Sequence, residues 1–442
     1  MTYLTQDEAL LRAAAERAVT RGRALGAEVS AIAKARGGAE IVVRDGETDI
    51  AVRDGHVSLA VTLFRDGRRG SATTTSLDAA AVARAVEEAA AIAGAVEPDA
   101  DAGLADPAWL AFDGEKPMLF ESDAAGPAGL VEAAFAIEAA AKGAGRRVTG
   151  AGAATSDGLR VLATSAGFCR ASQFSLHQRW CAVLAEDGAG FVQDGYDVTD
   201  RRVGALPTPE AIARIAVERA LAARGGQRVA SARVPVMFEP RVAAMLALEL
   251  VGALSGGRQA SGQTFLPDPL GRPVAAAHLE LSEDPFEPWG LASSPFDDEG
   301  VAGMRRAILS AGEAQGLFLD ARSARKLGMA STGNANGCYN LRLTGADGGE
   351  RSAMLRRLGT GLVVSELLGG ATDPVRGGWT RAVAGFWVSG GAVAHPVRDI
   401  TLAGEFPAML RDIVAVGSDV ERFGAVRTGS ILIDAMQMGG AA

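Results

Sequence analysis

Lysine is nearly missing from this chain: among 442 residues it stands only at positions 34, 116, 142 and 326, and arginine carries the remaining positive charge. The net charge is -9, and no Lys/Arg cluster forms a local basic patch, which argues against a nucleic-acid binder. Only three cysteines occur, Cys169, Cys181 and Cys338, and none forms a Cys-x-x-Cys pair. An odd count without a framework fits a reducing compartment. The four histidines (His56, His177, His278, His395) stand far apart, so no local pair at helical spacing offers a metal site. Gly-x4-Gly-Lys is absent, as is a Gly-x-Gly-x-x-Gly between strand and helix, so the nucleotide-binding fingerprints are missing. No apolar run reaches the roughly 20 residues of a membrane span. Asp7, Glu8 and Glu16 interrupt the N-terminus and no apolar core follows, which does not read as a signal peptide. The expected location is the cytoplasm, with no membrane partner.

What is present reads as α+β, with strands in runs and helices segregated from them. A helix is expected over 6–25, ending at Gly26. Arg-Asp-Gly recurs at 44–46, 53–55 and 65–67, between the short apolar segments Ile41–Val43, Ile50–Val52 and Val57–Phe64. Gly accepts the positive φ of a tight turn, so each Asp-Gly predicts a hairpin and the block predicts a meander. Ser76 is placed to cap a helix running to Ala95. These elements make a helix–meander–helix domain over 1–96. Residues 97–126, rich in Asp, Ala, Gly and Pro, read as a linker. The rest, 127–442, reads as a larger, mainly antiparallel α+β domain. Its signals are a helix over 130–142, strands through 147–203, a helix opened by Thr208-Pro209, and C-terminal strands near 362–367, 382–388, 392–397 and 431–436.

The larger domain is organised around Val236–Gly257. This stretch begins as a strand, turns at Glu239-Pro240 and continues as an apolar helix over 240–255, with Pro240 suited to its first turn. Glu249 interrupts the apolar pattern. An unpaired buried carboxylate is costly, so Glu249 is at an edge, paired, or kept for chemistry.

Other candidates are weaker. Ser165, in Ala163-Thr-Ser-Ala-Gly167, has the sequence of a nucleophile elbow, but Phe168–Trp180 alternates like a strand where that motif needs a helix. Ser165-Ala-Gly167 therefore predicts a hairpin turn. Asp297-Asp298-Glu299 could hold a hard cation, although loop carboxylates are usually solvated or capping.

Six longer pieces carry a family resemblance: Phe296-Asp-Asp-Glu-Gly300, Ala324-Arg-Lys-Leu-Gly328, Ser331-Thr-Gly-Asn-Ala335, Gly361-Leu-Val-Val-Ser-Glu-Leu-Leu-Gly369, Ala384-Gly-Phe-Trp387 and His395-Pro-Val-Arg-Asp-Ile-Thr-Leu-Ala-Gly404. With them, and with the meander and its Gly70-Ser-Ala-Thr edge, nearly the whole chain resembles the TldD/PmbA family. The resemblance implies a pair of related subunits. In the TldD type a helix carries His-Glu-x-x-x-His and a cysteine near the C-terminus completes a zinc site, where the glutamate activates the zinc-bound water. Laid on this chain, the two histidine positions hold Leu248 and Ala253, the glutamate survives as Glu249, and no cysteine follows Asp419. This is the pattern of the PmbA (TldE) type. The chain departs from relatives at Gly370-Ala-Thr-Asp373 and Gly377-Gly-Trp-Thr380, where polar loop contacts are not carried over.

The resemblance thus implies no metal and no catalytic residue in this chain. Glu249 is either a relic of the general-base position or paired with an arginine or a backbone donor. The implied function is a non-catalytic subunit, with zinc in a TldD-like partner and unfolded or leader peptides as substrates bound by strand addition. Two alternatives stand beside it: a stand-alone metallopeptidase recruiting a metal through Asp297, Asp298, Glu299 or His278, and a homo-oligomeric scaffold, the chain forming a homodimer when isolated.

Overall fold

Two of the three Asp-Gly steps make the turns their chemistry favours. In the computed structural model, which describes residue 4 and residues 7–123, 125–143, 147–188 and 190–440, Asp45-Gly46 and Asp66-Gly67 all take positive φ. They join β1 (Glu28–Arg44), β2 (Glu47–Arg65) and β3 (Arg68–Thr74) into an antiparallel ribbon. The expected third turn, at 53–55, does not form. β2 runs straight through it, with Arg53 opposite Ala39, Asp54 opposite Gly38 and Gly55 opposite Gly37. Pairing with the long β1 on one register overrides the local turn preference.

Helix α1 (Glu8–Ala24) and helix α2 (Ala79–Ala95) cover this ribbon, and Leu11, Val19, Val82 and Val86 pack on Val29, Leu59, Val61 and Leu63. The expected cap at Ser76 falls instead to Asp78. A carboxylate is the stronger acceptor for the Ala81 N–H (2.8 Å), and the Ser76 hydroxyl donates to that same carboxylate.

After α3 (Gly126–Gly143), the strands β4 (Arg147–Thr164), β5 (Cys169–Asp187) and β6 (Gly190–Asp200) join the same sheet, whose order is β3-β2-β1-β4-β5-β6. The hydrogen-bonded network of the first sheet therefore runs across the segment 97–126 rather than stopping before it. Ser165-Ala-Gly167 is the predicted hairpin turn: the Gly167 N–H donates to Thr164 O, and Gly167 takes positive φ. Helix α4 (Pro209–Ala222) lies beside α3 over β5 and β6, its Thr208 cap accepting the Ala211 N–H at 3.3 Å. Thr208→Ala is expected to cost about 1 kcal/mol of unfolding free energy. A denaturation midpoint unchanged from the parent protein would contradict this.

The C-terminal half holds two more sheets. The strand β7 (Ala232–Phe238) leads into the central helix α5 (Pro240–Ala253), with Pro240 in its first turn as expected. Short α6 (Gly256–Ser261) follows, and then β8 (Glu280–Asp284), β9 (Arg306–Ser310), β10 (Glu313–Ala314), α7 (Ala321–Lys326), β11 (Asn340–Thr344) and α8 (Arg351–Leu358). The long strands β12 (Gly361–Thr372), β13 (Gly378–Ser389) and β14 (Ala392–Glu405) precede α9 (Phe406–Arg411), β15 (Ile413–Val416), β16 (Glu421–Phe423), β17 (Val426–Thr428) and β18 (Ile431–Gly439).

One sheet runs β10-β9-β8-β11-β17-β16; the other runs β14-β13-β12-β7-β18-β15. Pairing of β14 with β18 closes the latter into a barrel. Between them lies the largest core, into which α5 sends Val242, Ala243, Leu246, Ala247, Leu250 and Ala253, followed by its C-cap Leu254. The architecture is α+β throughout.

Segment 97–125 is pinned mainly by arginines. Arg322 pairs with Asp99 (2.5 Å), Arg325 donates to Asp101 O and Leu104 O, Arg170 donates to Ala111 O, and Arg305 pairs with Glu115 (2.8 Å). A planar guanidinium fork can hold main-chain carbonyls that a lysine would satisfy only as a point charge, which gives the Arg-for-Lys bias a structural use.

Candidate functional site

The face that α5 turns away from the core carries Met245 and Leu248, both exposed, and the half-buried Glu249. Glu249 is paired, and with an arginine. Arg381 Nη2 donates to Oε1 at 2.8 Å, the Trp379 indole N–H donates to the same oxygen at 3.3 Å, and the Thr372 hydroxyl donates to Oε2. Arg381 also donates to the Thr372 oxygen at 3.0 Å, so the donors brace one another. The guanidinium lies 5.4 Å from the Trp379 ring centroid. Thr372 and Trp379 face each other across β12 and β13, so a single carboxylate ties the last turns of α5 to the barrel wall. Nothing near Glu249 in sequence announced these partners, which lie 123 to 132 residues away.

The two positions flanking Glu249 that the resemblance reserves for zinc ligands do not fit the metal. Leu248 is exposed, Ala253 is fully buried, and neither side chain has a donor atom. The thiols offer no substitute. Burial pushes the Cys181 thiol up to about 12 and the Cys338 thiol to about 11, and among the described residues neither cysteine belongs to a group of three or more His, Cys, Asp or Glu that could hold a metal.

The alternative metal group is dispersed. Asp297 is fully buried and accepts the main-chain N–H groups of Glu299, Val301 and Ala335 at 2.9, 2.9 and 3.0 Å. Asp298 pairs with Arg160 and lies 3.7 Å from Lys34. Glu299 accepts the Ala321 N–H at 2.7 Å. His278 is held between main-chain groups: Nε2 meets Ile413 O at 2.9 Å and Nδ1 accepts the Ala346 N–H at 3.0 Å. Among the described residues, no group of three or more His, Cys, Asp or Glu side chains could hold a metal.

Burial, with repulsion from Asp297 and Asp320, raises the Glu299 carboxyl from 4.5 to about 7, opposed by the Ala321 N–H and by Arg325. The folded chain therefore holds this proton more tightly than the unfolded one, and stability falls as pH rises from about 4.5 to about 7. Glu299→Gln keeps an acceptor for Ala321 and removes the charge. It is expected to match the parent protein below about pH 4.5 and to gain about 1–3 kcal/mol above about pH 7. Equal denaturation midpoints across that range would refute the assignment.

The open space lies one turn earlier on α5. A cavity of about 670 Å³ takes Arg241, Val242 and Met245 from this helix, Trp180 and Tyr196 from the first sheet, and Ser365, Glu366 and Leu367 from the barrel. Arg241 stacks 4.7 Å from the Tyr196 ring and pairs with Asp197 at 3.2 Å. A second cavity of about 770 Å³ continues from it, sharing Asp194, Arg219, Ser365 and Glu366. The walls offer aromatic and apolar surface, strand edges and paired charges, a surface suited to holding an extended chain.

Comparison with known proteins shows the family to which the chain belongs. Models of the PmbA/TldA metallopeptidase match in sequence: domain 1 over residues 35–93, the central domain over 120–224 and the C-terminal domain over 231–440. The chain is 36% identical over 422 residues to the metalloprotease PmbA of Escherichia coli O157:H7, covering 95% of this chain and 93% of that one. It is 32% identical to the metalloprotease PmbA homolog of Haemophilus influenzae, covering 99% and 98%. In fold it is similar to TldE from Thermococcus kodakarensis (TM-score 0.83, 22% identity, 97% of this chain and 100% of that one). A Bacteroides thetaiotaomicron protein described as a proposed modulator of DNA gyrase is similar as well (TM-score 0.89, 22% identity, 98% and 99%). The chain belongs to the PmbA/TldD metallopeptidase family and is similar to its PmbA, TldE-type members.

Proposed function

We propose that this chain is the non-catalytic, TldE-like subunit of a cytoplasmic heterodimeric zinc metalloprotease. Its partner is a TldD-like subunit that carries the zinc, and the substrates are unfolded or leader peptides. The observation that carries the reading is the state of Glu249. The carboxylate at the general-base position is engaged by Arg381, Trp379 and Thr372, and the positions on either side of it hold Leu248 and Ala253. Lowering the pKa of a water to about 7 is the work of a metal, and a lone carboxylate does not replace it. In this reading Glu249 is a relic of the general base converted to a structural tie, and the chain contributes interface and cavity wall. The relatives' description as metalloproteases supports peptide hydrolysis as the activity of the assembly.

The test is a peptidase assay on this chain, on its partner and on the mixture, with metal analysis of each. Activity is expected only where the partner is present, strongest in the mixture and abolished by a chelator. Tightly held stoichiometric zinc in this chain, with cleavage by it alone, would overturn the proposal.

A further inference from the structure

β6 is an edge strand of the first sheet, and its outer rim is open at one end only. The carbonyls of Asp197 and Thr199 point away from β5, because they accept from Arg241 (2.7 Å) and Arg422 (3.0 Å). Strand alternation then sends the main-chain groups of residues 191, 193 and 195 the same way. Of these, the Gly195 N–H is taken by its neighbour Asp194 at 2.6 Å. At Phe191 and Gln193, no main-chain partner on that side occurs among the described residues. This open rim borders the second cavity.

The facing wall is also an unfinished edge. β12 pairs with β7 only through Leu362, Val363 and Val364; β7 then turns into α5 and leaves β12 without that neighbour. A bulge at Ser365 shifts the alternation, so Leu367 packs on the core while Glu366 and Leu368 look outward. The groove walls carry charge pairs already matched: Asp194 with Arg219 (3.1 Å) and Glu239 with Arg351 (2.6 Å). Glu366 is different. Among the described residues it makes no ion pair or hydrogen bond, and it sits where the two cavities meet. Burial and the nearby Asp194 push its carboxyl up, and Arg219 only partly offsets them. Phe191 and Leu368, 63% and 60% exposed, supply apolar surface at the same mouth.

We propose that this groove of the chain itself holds an extended peptide, paired by its backbone to the open rim of β6 and seating a lysine or arginine side chain on Glu366. The strand edge reads the backbone and sets no sequence; the unmatched carboxylate supplies a preference for a basic side chain. The inference rests on the peptide-handling reading above only for the class of ligand.

Binding to this chain alone, without proteolysis, tests it. Fluorescence anisotropy is measured with a labelled peptide of about ten residues alternating Lys and Val, against the same peptide with Gln for Lys and against a version N-methylated at alternate main-chain nitrogens. The Lys peptide is expected to bind about 10-fold more tightly than the Gln peptide, and N-methylation to weaken it by at least about 10-fold. In Glu366→Gln, with circular dichroism unchanged, the two unmethylated peptides are expected to bind alike. Absence of binding, equal binding of Lys and Gln peptides to the parent chain, or a Lys preference surviving in Glu366→Gln would each overturn the proposal. Activity of the reconstituted protease would be unaffected as evidence by any of these outcomes, so the two readings fail separately.

Discussion

Arg381→Met is expected to lower the unfolding free energy by about 2–4 kcal/mol. The Glu249 and Arg381 side chains are only 19% and 13% exposed, so removing the guanidinium leaves a carboxylate largely withdrawn from water. The Thr372 and Trp379 donors remain, which keeps the loss below the full cost of orphaning a buried ion. The double variant Glu249→Met with Arg381→Met removes both charges and fills the space, and it is expected to recover most of the loss. Urea denaturation of the parent, both single variants and the double variant gives the coupling directly. A loss within about 0.5 kcal/mol for Arg381→Met would place the pair among ordinary surface ion pairs and remove its anchoring role.

Arg201→Met is expected to cost about 3–5 kcal/mol. Arg201 is 4% exposed and makes no carboxylate ion pair among the described residues. Its guanidinium donates to Gly290 O (2.8 Å) and Leu291 O (2.9 Å), with longer contacts to Leu119 O and Ser175 O (3.5 Å each). It thereby joins the first sheet, segment 97–125 and the loop before Asp297. Burial, with repulsion from Arg422, pushes it down to about 10, which leaves it charged at neutral pH. Methionine fills the volume but takes the donor from Leu291 O and removes a second donor from Gly290 O and Leu119 O, which keep the N–H groups of Ser293 (3.1 Å) and Ser175 (3.0 Å). Arg201→Lys is expected to lose less, since an ammonium reaches some of them but not as a fork. The check is the denaturation midpoint of each variant. A midpoint for Arg201→Met equal to that of the parent would show that solvent can replace these bonds.

Features encoded by a few adjacent residues were legible in the sequence. The Asp45-Gly46 and Asp66-Gly67 turns, the Ser165–Gly167 hairpin, the Thr208-Pro209 helix start and the α5 entry at Pro240 are local chemistry, and all stand in the structure. Local chemistry failed where distant pairing outweighed it. Arg53-Asp-Gly55 carries the same turn signal as its neighbours and lies mid-strand because β1 offers it partners on one register. The short strands β8, β11, β16 and β17 were missed for a related reason: with three to five residues each, they are strands only because neighbours pair with them.

The same division holds at the site. The absence of donor atoms at Leu248 and Ala253 is readable from residue type. The partners of Glu249 are not, because barrel closure alone brings Thr372, Trp379 and Arg381 to it. Glu366 gave no signal either, as its isolation follows from the end of β7 pairing and the bulge at Ser365.

If the proposed assembly cleaves peptides without this chain's glutamate, Glu249→Gln in the reconstituted heterodimer leaves turnover intact. Glutamine keeps an acceptor for Arg381 and a donor for the Thr372 oxygen, so the fold is retained. The kcat for peptide cleavage is expected to stay within about 2-fold of the parent complex, since in the proposed assembly the zinc and its base belong to the partner. A fall of about 10²–10⁴-fold, the usual contribution of a general base, in a variant that still folds and assembles would contradict it.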